Sequence, residues 1–232
     1  SAASDVYKRQ DHQHGRVLAG AVDLDFLACA APNGLNRIRF QSEGWPMVEI
    51  SLDELLPRTD ERESTAALVR GMAGLVKERG YEVAGFDAYA VSEVLPGSGL
   101  SSSAACEVLL GVIENCLFCS GELDAVTIAQ LGQRAENVYF GKPSGLMDQS
   151  AIALGGVNMI DFRSFDNPVV EKAVWRFDDL EIFVVATGGD HSDLTDDYAA
   201  IPAEMKTVAE ALGGKLLSLI HISEPTRRVV IS

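Results

Sequence analysis

The sequence has few cysteines, few prolines and few aromatic residues, and it lacks a long apolar run. Its 232 residues include 4 Cys, 8 Pro and 7% aromatics, against 47% hydrophobic residues overall. So few cysteines exclude a disulfide framework, and so few prolines exclude collagen-like and proline-rich disordered chains. A membrane-spanning helix needs about 20 consecutive apolar residues, and no segment approaches that length. The composition is therefore that of a globular protein with a real core, and we expect no membrane partner.

Basic residues are also scarce relative to acidic ones. The chain has 19 Lys and Arg against 34 Asp and Glu, which gives a net charge of -15. Such a charge repels the phosphate backbone of nucleic acid, so we expect no nucleic-acid partner and favour a small-molecule ligand. A ligand that carries phosphate would have to be held mainly by backbone N–H groups and a divalent cation.

The cysteines and histidines do not form a recognisable metal pattern. Cys116 and Cys119 form a single C-x-x-C pair in an apolar stretch, with no second pair at zinc-finger spacing. We interpret these thiols as small buried hydrophobes. Because no signal-peptide pattern opens the chain, we expect a reducing, cytoplasmic location. His12, His14 and His191 show no helical i, i+4 pairing and do not favour metal binding.

Hydrophobic periodicity predicts strands and helices without a regular βαβ alternation, which favours an α+β fold. Strands are predicted in residues 16–31, 37–41, 47–52, 86–92, 157–162, 169–176 and 181–187. Helices are predicted over residues 61–79, 102–117, 124–139 and 202–212, with a short one around Met147. Asp60 and Asp124 are the predicted N-caps, and Gly80 is a predicted C-cap.

The strongest chemical signal is a glycine- and serine-rich loop between a predicted strand and a predicted helix. Residues 95–105 are LPGSGLSSSAA. The glycines let the backbone approach a ligand closely, and the helix N-terminus presents unpaired N–H groups to an anion. The P-loop pattern and the third glycine of a dinucleotide fingerprint are absent, and Pro96 stands where a nucleophile elbow needs glycine. The loop therefore predicts a phosphate cradle, with a plain serine-rich N-cap as the structural alternative.

Three motifs in sequence order resemble the GHMP small-molecule kinases, and the triple serine is most similar to the galactokinase branch of that family. Residues 96–104 are similar to the family's ATP-binding signature, and residues 11–15 (DHQHG) resemble the tail of a sugar-binding signature. Residues 134–149 (RAENVYFGKPSGLMDQ) resemble a segment in which an acidic residue lies twelve positions before the Asp of a Gly-x-Met-Asp-Gln motif. The resemblance extends from residue 11 to residue 216.

The resemblance implies a phosphoryl transfer from ATP to galactose with Mg²⁺ as the metal, and it assigns residues to each task. The phosphates would be bound by Pro96, Gly97, Ser98, Gly99, Leu100, Ser101, Ser102 and Ser103. Ser103 and Glu136 would hold Mg²⁺. Asp148 would be the catalytic residue that accepts the proton of the anomeric hydroxyl. Asp11, Gly145, Asp148 and Tyr198 would bind the sugar. The structural alternatives are a solvated Glu136, a helix-capping Asp148 and a packing role for Tyr198.

The same resemblance implies the GHMP kinase fold and a division into two domains. Residues 11–161 would form an N-terminal domain of the ribosomal protein S5 domain 2-like type, with a left-handed crossover. Residues 162–216 would begin a ferredoxin-like C-terminal domain. Residues 1–10 and 217–232 resemble translated sequencing adapters, and we set them aside as non-native. We therefore expect an internal fragment that is inactive by itself, from a monomeric cytoplasmic kinase.

Two alternatives to a galactokinase remain open. His12 stands where the family usually has an aromatic residue, and residues 190–193 differ from the family's usual polar segment. The substrate is therefore less constrained than the reaction, and it could be a related sugar such as N-acetylgalactosamine or a uronic acid. A non-catalytic sugar sensor of the same fold is the other alternative, although such proteins usually carry damage in the serine-rich loop.

Overall fold

The structure is a computed structural model, which describes residues 14–94, 99–174, 195–211 and 213. Its strands are β1 (Arg16–Gly20), β2 (Phe26–Pro32), β3 (Arg37–Ser42), β4 (Val48–Ser51), β5 (Phe86–Ser92), β6 (Val157–Asp161) and β7 (Val169–Lys172). Its helices are α1 (Thr65–Glu78), α2 (Ser102–Phe118), α3 (Ala125–Ala135), α4 (Met147–Leu154) and α5 (Thr195–Ala211). A 3₁₀ turn (Thr59–Glu61) precedes α1, and a π-helical turn (Glu136–Phe140) continues α3. The strand predicted over residues 181–187 lies outside the described residues.

The strands form two sheets, and the apolar run near the start of the chain contributes to both. One sheet has the order β2-β5-β3-β4 and the other the order β1-β6-β7. The prediction of one strand over residues 16–31 is therefore wrong. Asp23 and Asp25 interrupt the run in an exposed segment, where acidic residues are better solvated than paired in a ladder.

The four-stranded sheet is mixed, because β3 and β5 pair in parallel while its other pairs are antiparallel. A parallel pair needs a long crossover connection, and here the connection contains β4 and α1. The left-handedness of this crossover stays a prediction. In the other sheet β7 pairs with β6, so a strand beyond residue 161 extends the sheet formed by residues before it. The division at residue 161 also stays a prediction.

The main core lies between the helices and one face of the four-stranded sheet. Alternate residues of β5, beginning with Phe86, are buried, as the period of a half-covered strand requires. Phe40 and Ile38 point to the same core from β3, and Met72 and Leu75 reach it from α1. A smaller cluster around Phe162 and Ile160 lies under the three-stranded sheet.

Two helix boundaries follow from local capping signals, and one predicted cap is wrong. The Asp124 side chain accepts the Thr127 N–H at 2.7 Å and begins α3, as predicted. Gly80, with φ +97°, follows the last residues of α1, as predicted. Asp60 is not the N-cap of α1. Ser64 is, because Asp60 lies in the preceding 3₁₀ turn. The final helix begins at Thr195 rather than near residue 202, so Pro202 lies within it.

The environment of the cysteines differs from the prediction at one member of the C-x-x-C pair. Cys119 is buried as expected, but Cys116 is exposed: Cys116 lies in the last turn of α2, whereas Cys119 is the residue that follows the helix. Burial raises the pKa of the Cys119 thiol to about 11 and that of Cys106 to about 12. Within the described ranges, no three His, Cys, Asp or Glu side chains are grouped so as to hold a metal ion. Nor does any helix among those residues have the length and apolarity to cross a membrane.

Candidate active site

Three segments that are distant in sequence meet at the N-terminus of α2. They are the residues that lead into α2, the π-helical turn after α3, and the start of α4. Gly99 and Ser101 have φ angles of +76° and +58°, so the backbone turns sharply just before the helix. A π-helical turn is itself uncommon and is frequent at functional sites. The predicted phosphate-binding segment therefore ends in a strained turn at a helix N-terminus.

The structure brings Ser103 and Glu136 together, as a shared metal site requires. The Ser103 hydroxyl donates to Glu136 Oε1 at 2.9 Å. The Glu136 side chain is only 3% exposed, so it is not a solvated helix residue. Lys142 Nζ lies 3.3 Å from the same Oε1, and its half-exposed ammonium compensates the buried charge. A hydroxyl and a carboxylate are the hard oxygen donors that Mg²⁺ prefers, so this pair fits that cation.

Asp148 contacts the same helix terminus from the first turn of α4. The Ser101 hydroxyl donates to Asp148 Oδ2 at 2.5 Å, which links the first turn of α4 to the residue before α2. The bond joins two elements, and the N-cap of α4 is Leu146, so Asp148 is not the capping residue of its own helix. A carboxylate oriented in this way can accept a proton from a hydroxyl placed beside it.

The loop between the π-helical turn and α4 is held by a small amide network. Asn137 Oδ1 accepts the Ser144 N–H at 2.6 Å, and Asn137 Nδ2 donates to the Ser144 carbonyl at 3.3 Å. Gln133 Nε2 donates to the same carbonyl at 3.1 Å. These bonds set the path of the chain into Gly145, which is half-buried and lies two residues before the start of α4.

Several predicted site residues fall where the structure gives no side-chain description. Pro96, Gly97, Ser98 and Asp11 lie outside the described residues. Tyr198 lies within α5, but its side chain is outside the described part. Their assigned roles stay predictions, as do those of Gly99, Leu100, Ser102 and Gly145, which lie at or next to the starts of α2 and α4.

Two buried residues of the site received no role in the sequence analysis, although Gln149 ends one of its motifs. Gln149 Nε2 donates to Glu136 Oε2 and to Glu107 Oε2, both at 2.9 Å. Both Glu107 and Gln149 are fully buried. Burial raises the pKa of Glu107 well above its ordinary value, and the nearby Glu136 charge adds to the shift. An acid four residues after Ser103, with apolar residues on both sides of it, was the signal that could have found Glu107.

The chain matches known proteins over this same region. Residues 67–156 match the family model described as the GHMP kinases N terminal domain. The galactokinase of Ligilactobacillus salivarius is 36% identical over 66% of this chain and 40% of that protein. The galactokinase of Lactobacillus helveticus is 31% identical over 91% of this chain and 55% of that protein. The chain thus spans about half the length of the curated relatives it matches.

Solved structures show the same fold. The crystal structure of Lactococcus lactis galactokinase complexed with galactose matches with a TM-score of 0.72 at 24% identity, over 89% of this chain and 53% of that one. Methanococcus jannaschii mevalonate kinase matches with a TM-score of 0.57 at 18% identity, over 88% of this chain and 68% of that one. The predicted α+β architecture is therefore confirmed as the GHMP kinase fold, and residues 67–156 match the N-terminal domain of the GHMP kinase family.

Proposed function

We propose that the protein containing this chain is a galactokinase, which transfers the γ-phosphoryl group of ATP to the anomeric hydroxyl of galactose. The observation that carries this proposal is the convergence of the Ser103–Glu136 and Ser101–Asp148 pairs on the N-terminus of α2. The curated relatives named above are galactokinases, and one solved galactokinase of the same fold was crystallised with galactose. The product would be galactose 1-phosphate.

The donor phosphates would lie above the N-terminus of α2. The loop of residues 96–101 and the first turn of α2, including Ser102, would supply backbone N–H groups, and the helix dipole favours negative charge there. Ser103 and Glu136 would hold Mg²⁺. The cation, when bound, neutralises charge on the phosphates. These contacts account for how so acidic a chain could bind ATP.

The acceptor hydroxyl would lie beside Asp148. Ser101 holds one carboxylate oxygen of Asp148 in place, so the group is oriented before the sugar arrives. Asp148 would take the proton of the anomeric hydroxyl as the phosphoryl group is transferred. Gly145, Asp11 and Tyr198 would bind other hydroxyls of the sugar.

The cellular setting also belongs to the proposal. Free thiols at all four cysteines support a reducing, cytoplasmic location. The net charge of -15 supports a small-molecule substrate over nucleic acid. A monomeric state stays a prediction.

The reaction is tested by a sugar panel. The gene would be recovered to its own start and stop codons, and its product assayed for ATP- and Mg²⁺-dependent phosphorylation of galactose, N-acetylgalactosamine and galacturonic acid. We expect galactose to give the highest kcat/KM. Preference for another sugar would reassign the substrate, and sugar binding without turnover would identify a sensor. The 232-residue polypeptide, assayed in parallel, is expected to be inactive.

The metal assignment predicts a specific effect of Glu136→Ala. Loss of one carboxylate ligand is expected to raise the Mg²⁺ concentration for half-maximal activity by about tenfold or more. Excess Mg²⁺ should restore part of the activity, because Ser103 and the phosphates remain as ligands. Steady-state rates over a Mg²⁺ titration measure the shift.

Glu78→Ala is the matched control for this variant. Glu78 pairs with Arg134 of α3 at 2.9 Å on the protein surface, so its loss should leave the Mg²⁺ requirement unchanged. A Glu136→Ala protein that unfolds, or that does not respond to added Mg²⁺, would show that Glu136 is structural.

A further inference from the structure

Glu107 is a fully buried acid on α2 to which the proposed phosphoryl transfer assigns no task. It lies four residues after Ser103, so both side chains are on the same side of the helix. Its Oε2 accepts a hydrogen bond from Gln149 Nε2 at 2.9 Å. The same nitrogen donates to Glu136 Oε2 at 2.9 Å. One amide group therefore bridges a buried acid and the proposed metal ligand.

This bridge contacts the Glu136 oxygen that Ser103 leaves unused. Ser103 Oγ and Lys142 Nζ both contact Oε1, whereas Gln149 contacts Oε2. Contacts on both oxygens determine the rotation of a carboxylate about its terminal bond. The orientation of Glu136 toward Ser103 thus depends on the direction of the Gln149 amide.

The direction of that amide depends in turn on Glu107. A side-chain amide can present either NH₂ or carbonyl oxygen to its neighbours. Two carboxyl groups beside it favour the orientation in which the NH₂ faces both. The Gln149 carbonyl oxygen is left buried without a partner, a cost that the two N–H bonds must offset. Without the acceptor at Glu107, that orientation would lose one of its two bonds.

The packing around the bridge leaves room for it only because α3 has a glycine there. A Cβ atom at position 132 would lie 3.1 Å from Glu107 Cβ and 3.4 Å from Gln149 Cγ. The added Cβ would also lie 3.3 Å from Glu107 Oε2, so the Glu107 side chain would have to shift by a few tenths of an ångström, whereas Gln149 Cγ would be in ordinary contact. Gly132 thus allows α3 to approach α2 closely over the bridge.

We propose that Glu107 is a positioning residue that, through the Gln149 amide, orients Glu136 to bind the divalent cation that accompanies ATP. This inference rests on the proposed function, because that function assigns Ser103 and Glu136 to the metal. Removing the Glu107 carboxyl group is therefore expected to lower the affinity for the metal, with little effect on sugar binding.

The test is the dissociation constant of Mn²⁺ in the presence of a non-hydrolysable ATP analogue, measured by electron paramagnetic resonance on the complete gene product. Glu107→Met fills a similar volume but removes the acceptor, and it should weaken Mn²⁺ binding by about tenfold, the lower end of the effect of ligand-supporting partners. Glu107→Gln keeps a carbonyl acceptor for Gln149 and should restore affinity to within about twofold of the wild type. If Glu107 served only the stability of the fold, Glu107→Gln would not restore Mn²⁺ affinity in this way.

Glu114→Met is the matched control. Glu114 lies on the same helix seven residues further on, is also fully buried, and has neither carboxyl oxygen hydrogen-bonded in the structure. Its replacement should leave Mn²⁺ affinity unchanged. The effect of Glu107→Met should also vanish in a Glu136→Ala background, because Glu107 acts through that ligand.

The outcomes separate the two proposals. A wild-type protein that binds no Mn²⁺ with the nucleotide would overturn the metal site and this inference with it. If the wild type binds Mn²⁺ and a folded Glu107→Met protein binds it with the same affinity, only the inference about Glu107 is overturned. The inference alone would also fail if Glu107→Gln lost as much Mn²⁺ affinity as Glu107→Met. It would fail likewise if Glu114→Met lost as much as Glu107→Met. If Glu107→Met does not fold, Gly132→Ala replaces it as the test variant. Gly132→Ala keeps both Glu107 and Glu136 and should still weaken Mn²⁺ binding by about threefold. Unchanged Mn²⁺ affinity in Gly132→Ala would overturn the inference.

Discussion

Replacing Asp148 with asparagine is expected to lower kcat for galactose phosphorylation by about 10²-fold or more, the range of a lost general base. Asparagine keeps the size of the side chain and can still accept the Ser101 hydrogen bond, but it cannot take up a proton at the reacting oxygen. The dissociation constant for ATP should barely change, because asparagine can keep the hydrogen bond to Ser101 through which this side chain contacts the phosphate-binding loop. Initial rates with galactose, together with equilibrium binding of ATP, measure both quantities.

Asp23→Asn is the control for Asp148→Asn. Asp23 is exposed between β1 and β2, so the same change of charge there should leave kcat unaltered. Near-normal turnover in Asp148→Asn would move catalysis to another residue. A fall in ATP affinity equal to the fall in kcat would instead place Asp148 at the nucleotide.

Replacing Gly85 with alanine is expected to destabilise the folded state by about 3 kcal/mol or more, the range of severe overpacking. The added Cβ would overlap the Leu35 carbonyl oxygen and lie 2.6 Å from that of Arg37. Both are backbone atoms, which cannot rotate away as a flexible side chain can. The neighbouring backbone is also tied down, because the Asn33 N–H donates to the Gly85 carbonyl at 3.0 Å. Urea unfolding followed by circular dichroism measures the loss.

Gly20→Ala is the matched control for Gly85→Ala. A Cβ at position 20 would be in ordinary contact with Val157 Cγ2 at 3.4 Å, and the backbone there needs no positive φ. Its replacement should change the free energy of unfolding by less than about 1 kcal/mol. Equal effects of the two substitutions would mean that the close approach at Gly85 is not a constraint on the fold.

Local signals predicted the elements that carry the site. The serine run before an apolar stretch predicted a helix from Ser102, and α2 begins there. Asp124 predicted the start of α3 because a cap and the N–H it binds lie within three residues of each other. Such signals can be read from sequence because the interacting groups are neighbours along the chain.

Strand partners could not be predicted in this way. The apolar residues from 16 to 31 have the composition of one long strand, yet β1 pairs with β6 and β2 with β5. Asp23 and Asp25 mark where the run breaks, but nothing within residues 16–31 alone determines that its two halves join different sheets, because strand pairing depends on partners far along the chain.

Some residues of the candidate site could likewise be found from the sequence, and others only from the structure. The resemblance of two short motifs to the GHMP kinases singled out Ser103, Glu136 and Asp148 from the sequence alone. Only the tertiary structure decided that Glu107 and Gln149 join them. Glu107 Oε2 and Gln149 Nε2 lie 2.9 Å apart across 42 positions of sequence. Hydrogen bonds between buried side chains of different helices depend on how those helices pack, and packing is set by contacts that no local spacing contains.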